Sequence, residues 1–326
     1  MDSRRPVVAV VGAGDRELPD LEAAEALARV IRIEEPADLP TSLGEVDAVL
    51  AWSSGRRSLL DAIPRAPRLR WIQSSSAGVE DLADPVLAER GIVLTNAGGV
   101  FDVGLAESVL GFLLAFSARI VESARRAPGE WVSDTVHILR GTVALVVGAG
   151  SIGTETGRLL RSVGLRVRGV ARTARPTDDL FESIVGPDGL RAELARADHV
   201  VNVLPITPAT RRVIGSSQFA AMKPTAVFVN IGRGATVDEP ALIHALEGGV
   251  IAGAALDVFE EEPLPTESPL WSMPNVLVSP HRAGDHEGWK SDVVALFVDN
   301  LRRFVAGEPL RNVVDVELGY APGGRS

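Results

Sequence analysis

Thr142-Val143-Ala144-Leu145-Val146-Val147-Gly148-Ala149-Gly150-Ser151-Ile152-Gly153 decides the fold. Six β-branched or small apolar residues run straight into G-x-G-x-x-G. Beyond the third glycine the pattern turns helical over 154–163, with Leu159, Leu160 and Val163 on one face and Gly164 where a C-cap belongs. That order is strand, tight turn, helix. The first glycine makes the turn, the second lets a pyrophosphate approach the backbone, and the third lets helix pack on strand. The helix N-terminus adds free N–H groups and a positive dipole end.

Working outward, 326 residues allow two domains of ordinary size, and an apolar content of 46% is ample for buried cores. The net charge is −10 and no basic run exceeds two residues, which argues against nucleic acid and anionic membrane as partners. The absence of cysteine excludes disulfides, thiolate chemistry and Cys-ligated metals, and a reducing cytoplasm fits it. Two lysines, Lys223 and Lys290, leave little room for Schiff-base chemistry, and no metal site is expected. The start, from Arg4-Arg5-Pro6-Val7 to Val11, has the outline of a signal peptide. Its apolar part is too short and Asp15, Arg16 and Glu17 follow, so it reads as a first strand. No apolar run approaches the roughly 18 residues of a membrane helix.

In chain order, the first strand ends in Gly12-Ala13-Gly14, a decoy for the nucleotide motif because Glu17 replaces its third glycine. Asp20 caps a helix expected to run to residue 31, and strands follow at 47–52, 69–73 and 91–94. Ser74-Ser75-Ser76-Ala77-Gly78-Val79 is a run of small residues after a strand, equally suited to a plain turn or to turning its N–H groups toward an anion. A long helix is expected over 100–126, with Leu105, Val109, Phe112, Leu113 and Phe116 on its apolar side and Pro128-Gly129 as its breaker. Past Gly141, strands at 143–147, 167–171, 199–204, 225–230, 251–257 and 276–279 alternate with helices at 190–196 and 240–246. Several of these strands are continuous apolar runs, as in a parallel sheet covered on both faces. A helix over 288–305 closes the chain, and the Gly/Pro-rich tail 319–326 is expected to fray. The reading is α/β: two Rossmann-like domains, one flavodoxin-like and one doubly wound, with a cleft between them. The first comprises 1–99 with 286–326, and the second 100–285.

A site that prefers NAD carries Asp or Glu about 20 residues after the first glycine, at the end of the second strand. Here that position is Ala171, followed by Arg172, Thr173 and Arg175. Arginine and a hydroxyl suit a 2′-phosphate, so NADP is favoured over NAD. Three later stretches set ionisable groups just past strand ends. They are Asn230-Ile231-Gly232-Arg233-Gly234, Asp257 to Pro263, and Ser279-Pro280-His281-Arg282-Ala283-Gly284. Of five histidines, His281 lies at a strand end beside Pro and Gly, with His286 its only rival; His199 reads as structural, and His244 sits on an ordinary helix.

Over 96–315 the sequence resembles the D-isomer-specific 2-hydroxyacid dehydrogenases. The resemblance rests on the G-A-G-S-I-G turn, the Leu204-Pro205-Ile206-Thr207 loop, N-I-G-R-G at 230–234, A-L-D-V-F-x-x-E-P at 255–263 and S-P-H-x-A-G at 279–284. It implies hydride transfer between a nicotinamide and a 2-oxo acid such as glyoxylate or hydroxypyruvate. His281 would be acid and base, Glu262 (rather than Glu261) its carboxylate partner, and Arg233 the clamp on the substrate carboxylate. Ser76, Ala77, Gly78 and Val79 would be the carboxylate loop. Gly148, Gly150, Ser151, Ile152, Gly153, Arg172, Thr173, Leu204, Pro205, Thr210, Ile231, Gly232 and Asp257 would hold the nucleotide. It also implies a homodimer, which the broad apolar side of 101–126 fits. Three positions depart from the family pattern. Ser151 stands where a basic or amide residue is common, Ala171 lacks the usual acid, and Asp285 replaces a common Thr, which leaves substrate preference near Trp289 open. Two alternatives differ in class. A silent NAD(P)-sensing protein would need none of Arg233, Glu262 and His281. A formate-type dehydrogenase would carry Gln at 262.

Overall fold

The computed structural model describes residues 4–12, 20–34, 39, 43–52, 56–177 and 179–321. The chain divides into two compact units, Met1–Phe101 with Glu287–Ser326, and Asp102–His286.

In the first unit, β1 (Val7–Val11), β2 (Arg29–Ile33), β3 (Ala48–Ala51), β4 (Trp71–Ser74) and β5 (Val93–Thr95) form a parallel sheet in the order β2-β1-β3-β4-β5. This is the flavodoxin-like order. Alternation sends Val7, Ala9 and Val11 into one core and Val8 and Val10 into the other, so the buried strands read as unbroken apolar runs. The helix Trp289–Ala306 packs Val293, Phe297 and Leu301, spaced four apart, into the second core beside Trp52 and Trp71. It ends at Gly307 in the left-handed region, φ 73°.

In the second unit, β6 (Val143–Val147), β7 (Arg166–Val170), β8 (Ile184–Val185), β9 (His199–Asn202), β10 (Val227–Asn230), β11 (Gly253–Leu256) and β12 (Val276–Val278) form a parallel sheet. The order is β12-β11-β10-β9-β6-β7-β8, so the strand order reverses beside β6. In open α/β sheets that switch point is where ligands bind, beyond the C-terminal strand ends.

The structure corrects several expectations. The helix drawn from Asp20 to 31 is only Glu22–Glu25; Asp20 accepts a hydrogen bond from the Glu22 N–H, but 29–33 pairs with β1 as a strand. Its alternating Val30, Ile31 and Ile33 fit a pleated surface better than a helix. The long helix over 100–126 is two helices, Asp102–Ser117 and Ile120–Ala124, broken at Arg119, φ 55°. The nucleotide-turn helix runs Ser151–Ser162, and its buried side is Gly153, Thr156, Gly157 and Leu160, whereas Val163 is 38% exposed. Small residues there bring helix close to sheet. Of the tail, 319–321 is held by Asp315, whose N–H donates to the Tyr320 carbonyl and whose carbonyl accepts from the Gly319 N–H; 322–326 lies outside the described residues. So do residues 13–19 of the decoy turn and 53–55 of the loop after β3.

His199 opens β9 in the core, where neither ring nitrogen has a hydrogen-bond partner among the described residues. Burial pushes its pKa down to about 4, against an opposing pull from the Asp198 charge. The folded state therefore holds His199 neutral while an unfolded chain takes up a proton near pH 6.5. Stability is full above that pH and falls as pH drops toward 4, by about 3 kcal/mol over the window. His199→Leu should raise Tm and flatten the acid limb of denaturant-derived stability between those limits. An unchanged limb would show that His199 is not what sets it.

Candidate active site

The strands of the second unit stop on one line. Val147 pairs with Asn202, Asn202 with Asn230, Asn230 with Leu256, and Leu256 with Val278. The next residue of each chain still donates to its neighbour's last carbonyl: Val203 to Val147, Ile231 to Asn202, Asp257 to Asn230, Ser279 to Leu256. Beyond that line the backbone turns away, so five loops, starting at Gly148, Val203, Ile231, Asp257 and Ser279, emerge side by side from one edge. The sequence motifs occupy these loops.

The first element on this edge is the glycine turn. Gly148 adopts φ 113° and, with Ala149, donates to the Val170 carbonyl. A Cβ on Gly153 would lie 2.0 Å from the Gly148 carbonyl oxygen, so this glycine serves the close crossing of helix and turn. Gly150 differs: a Cβ there would meet nothing within 4 Å. Its open cradle at the N-terminus of the helix Ser151–Ser162 fits the close approach of a pyrophosphate. Ile152 follows, half-buried, in the first turn of that helix. The Ser151 hydroxyl donates to the carboxylate of Asp102, the first residue of the preceding long helix.

At the end of β7, Ala171 donates its N–H to Val185, and Arg172 and Thr173 follow on the exposed surface. Arg175 folds back, donating 2.8 Å to the Ala149 carbonyl. It braces the turn. On the loop after β9, Leu204 and Pro205 lead to Thr210, whose hydroxyl donates to the Pro205 carbonyl at 2.6 Å and accepts from the Thr207 N–H at 2.8 Å. Gly232, following Ile231, presses against the Leu204 backbone, where a Cβ would come within 2.6 Å of the carbonyl oxygen.

The ionisable groups converge on the remaining loops. Asp257 is 2% exposed. Its carboxylate accepts from the Ser279 hydroxyl at 2.6 Å and from the N–H groups of Arg282 and Ala283 at 3.0 and 3.1 Å. This clamp shapes the loop on which His281 sits at φ 49°, its N–H donating to the Asp257 carbonyl at 2.8 Å. A bulky residue in the left-handed region needs such support, and it occurs most where function requires it. His281 Nδ1 lies 2.6 Å from Glu262 Oε2, and Glu262 Oε1 accepts from the Phe259 N–H at 2.9 Å. Gly234 lets the Arg233 loop close on this segment, since a Cβ there would fall 1.8 Å from the Phe259 carbonyl oxygen. Arg233 donates to the Gly232 carbonyl at 2.8 Å and acts electrostatically on both members of the pair.

Charge follows from these contacts. The Glu262 hydrogen bond raises the His281 pKa; burial opposes it, the Glu262 charge adds to it, and Arg233 pulls it down. For Glu262, burial pushes upward, but the bonds from His281 and Phe259, with the charges of His281 and Arg233, hold the carboxyl below its usual range. Both shifts favour the carboxylate–imidazolium form of the pair. The rival His286 has Nδ1 3.3 Å from the Gly284 carbonyl.

A family model described as the NAD binding domain of the D-isomer specific 2-hydroxyacid dehydrogenases matches residues 110–283. A glyoxylate/hydroxypyruvate reductase B of Pectobacterium carotovorum is 36% identical over 272 residues, 81% of this chain and 85% of that protein. Among solved structures, an NADPH-dependent glyoxylate/hydroxypyruvate reductase of Sinorhizobium meliloti in complex with NADP and sulfate is similar with TM-score 0.79 and 32% identity, over 96% of this chain and 99% of that one. A D-isomer specific 2-hydroxyacid dehydrogenase of Xanthobacter autotrophicus with NADPH and MES gives 0.76 and 30%, over 97% and 99%. The chain belongs to the D-isomer specific 2-hydroxyacid dehydrogenase family.

The dehydrogenase also has polar residues at the strand ends to which the sequence reading gave no role. Asn202 and Asn230 end β9 and β10, both buried, and Asn202 donates to Asn230 Oδ1 at 2.9 Å and to Thr236 at 2.7 Å. Thr236 in turn donates to the Arg233 carbonyl at 2.6 Å, and Asn230 Oδ1 accepts from the Gly232 N–H. This buried network sets the loop that carries Arg233. The legible signal is an amide side chain closing an otherwise apolar strand. In the first unit, the loop after β4 has a one-sided backbone. The Ser76 carbonyl accepts from Ala97, the Ala77 carbonyl from Asn96, and the Val79 carbonyl from Leu82 and Ala83. The N–H groups of Ala77, Gly78 and Val79 have no acceptor among the described residues. Successive amides without an acceptor are suited to an anion.

The two glycines should separate in mutagenesis. Gly150→Ala should leave Tm near wild type and weaken NADPH binding about tenfold or more, read by nucleotide fluorescence. Gly153→Ala should cost about 1–3 kcal/mol in denaturant unfolding through overpacking. Equal effects of both on stability would remove the distinction.

Proposed function

We propose that this dehydrogenase reduces a small 2-oxo acid of the glyoxylate or hydroxypyruvate class with NADPH, and oxidises the D-2-hydroxy acid in reverse. The observation that carries the reading is the His281–Glu262 pair at 2.6 Å beside Arg233. A protein that only sensed nucleotide would have no use for a proton donor so prepared.

When bound, the nicotinamide nucleotide supplies hydride to the carbonyl carbon. Arg233 takes the substrate carboxylate bidentately and polarises the carbonyl. His281, as imidazolium, gives its proton to the developing alkoxide, and in reverse its neutral ring takes that proton. Glu262 orients the ring and stabilises its charged form. In the first unit, the substrate-binding domain in this reading, the amides at 77–79 beside Ser76 suit a carboxylate oxygen. The helix N-terminus at Gly150, Ser151 and Ile152 takes the pyrophosphate, and Gly148 and Gly153 shape the turn that presents it. Arg172 and Thr173, with no acid at Ala171, take the 2′-phosphate, and the NADP and NADPH complexes of the Sinorhizobium and Xanthobacter relatives support that preference. Leu204, Pro205, Thr210, Ile231 and Gly232 flank the remaining nucleotide, and Asp257 fixes the histidine loop at its nicotinamide end.

The protein works in this reading as a cytoplasmic homodimer. Leu114, Ile120, Trp131, Val132, Val136 and Ile138 are all at least 45% exposed around the second unit's long helix and the chain that follows it. No helix among the described residues is long and apolar enough to cross a membrane.

Loss of nicotinamide absorbance with glyoxylate and hydroxypyruvate tests the activity. His281→Asn should lower kcat about 100-fold or more. Because reduction needs the imidazolium, the rate should fall as pH rises through the raised His281 pKa, and Glu262→Gln should move that fall to lower pH. Arg172→Ala should cut the NADPH-to-NADH preference about tenfold or more. No turnover in folded protein that binds NADPH would favour a sensor instead. Sedimentation should give twice the chain mass, and Trp131→Asp should shift it toward the monomer.

A further inference from the structure

The helix Asp102–Ser117 touches both ends of the chemistry. At its first residue Asp102, 8% exposed, accepts a hydrogen bond from Ser151 of the glycine turn. Two turns on, Ser108 donates 2.7 Å to the Ala283 carbonyl, two residues past His281. One turn before Ser108, on the same face, Gly104 lies so close to this loop that a Cβ would sit 3.1 Å from the Gly284 carbonyl oxygen. The same helix packs along the helix Ser151–Ser162. The histidine loop is thus gripped from two sides. Asp257 holds its N–H groups from the sheet, and Ser108 holds a carbonyl from the helix.

We propose that Ser108 and Asp102 are positioning residues that register His281 against the nucleotide turn through the single rigid body of the helix Asp102–Ser117. Hydride and proton must reach adjacent atoms of one substrate carbonyl, and misplacement by an ångström costs about 100-fold. The hydride donor is set by the glycine turn and the proton donor by the loop 279–284. The sheet sets the strand ends from which both loops start, and the helix adds a common reference beyond those ends. On this loop His281 must hold a left-handed backbone and a 2.6 Å bond to Glu262 at once. Ser108 adds a second hold on that loop beside Asp257. The catalytic consequence rests on the reductase reading above, but the positioning of His281 does not.

The test reads the His281 ring directly. Its titration is followed by NMR in nucleotide-free protein and assigned with His281→Asn, alongside kcat, KM and NADPH affinity. In Ser108→Ala, His281 should titrate closer to an ordinary histidine, because the Glu262 bond is less well held. kcat should fall about tenfold with NADPH affinity unchanged, and Ser108→Thr, which keeps the hydroxyl, should restore both. Asp102→Ala, at the far end of the helix, should move the His281 titration in the same direction. An unmoved titration in Ser108→Ala would overturn the proposal, and an unmoved one in Asp102→Ala would overturn the link to the glycine turn. Should the wild-type protein reduce no 2-oxo acid, the reductase reading fails while the titrations still decide the positioning.

Discussion

The common stopping line of β6, β9, β10, β11 and β12 is the constraint on which the rest depends. Parallel pairing in one register places Gly148, Val203, Ile231, Asp257 and Ser279 in a row, each following its strand's last residue. A slip of one residue in β11 would reverse the faces of Ala254, Ala255 and Leu256, and would turn Asp257 away from the loop it clamps. Burial of both sheet faces makes such a slip costly, because Leu256 and Ala254 belong to the core that also holds Phe228 and Val200. The precision of the site is therefore inherited from the packing of the sheet. Asn202 and Asn230 carry it one step further, converting strand ends into fixed starting points for the loops at 203–204 and 231–233.

Two carboxylates a few residues apart acquire different roles from their surroundings. Asp257 is buried and accepts from three donors of one loop, which uses its oxygens to hold backbone. Glu262 is 35% exposed at its side chain and spends one oxygen on the Phe259 N–H, leaving the other for the His281 ring. The first fixes where the histidine is, and the second fixes its charge. Arg233 opposes the charge on His281, so the ring's proton is held firmly but not irretrievably. A strongly acidic surrounding without the arginine would make a poorer acid.

Much of this was legible in the sequence, and the failures have physical causes. Long apolar runs and the glycine spacing identified six strands of the second unit and the turn between β6 and its helix. β8, two residues long, carries no periodicity to read. The break at Arg119 was hidden because a non-glycine residue takes the left-handed conformation there, with no Gly or Pro to mark it. The strand Arg29–Ile33 was lost to the good helix formers before it, although its β-branched residues pair with β1. At the site, motif residues could be named individually, but which carboxylate meets His281 depends on how the segment 259–262 folds on itself, and spacing alone leaves Glu261 in competition. The grip of Ser108 on Ala283 joins residues 175 apart and leaves no trace in local pattern.

A chain with net charge −10 and only two lysines is an unexpected receptor for a dinucleotide and a 2-oxo acid, all anionic. The resolution is that long-range and local electrostatics are separable. At physiological salt, charges farther than about 8 Å are largely screened, so the distant acids matter little at the binding elements. What acts there is short-range and oriented. In the reading proposed above it consists of the helix N-terminus at Gly150 and Ser151, the amides at 77–79, and the planar guanidinium of Arg233. Backbone donors of this kind add no net charge and need no side-chain ordering on binding. They also explain why the anion-binding stretches are runs of glycine, alanine and serine: only small side chains let an anion reach the main chain.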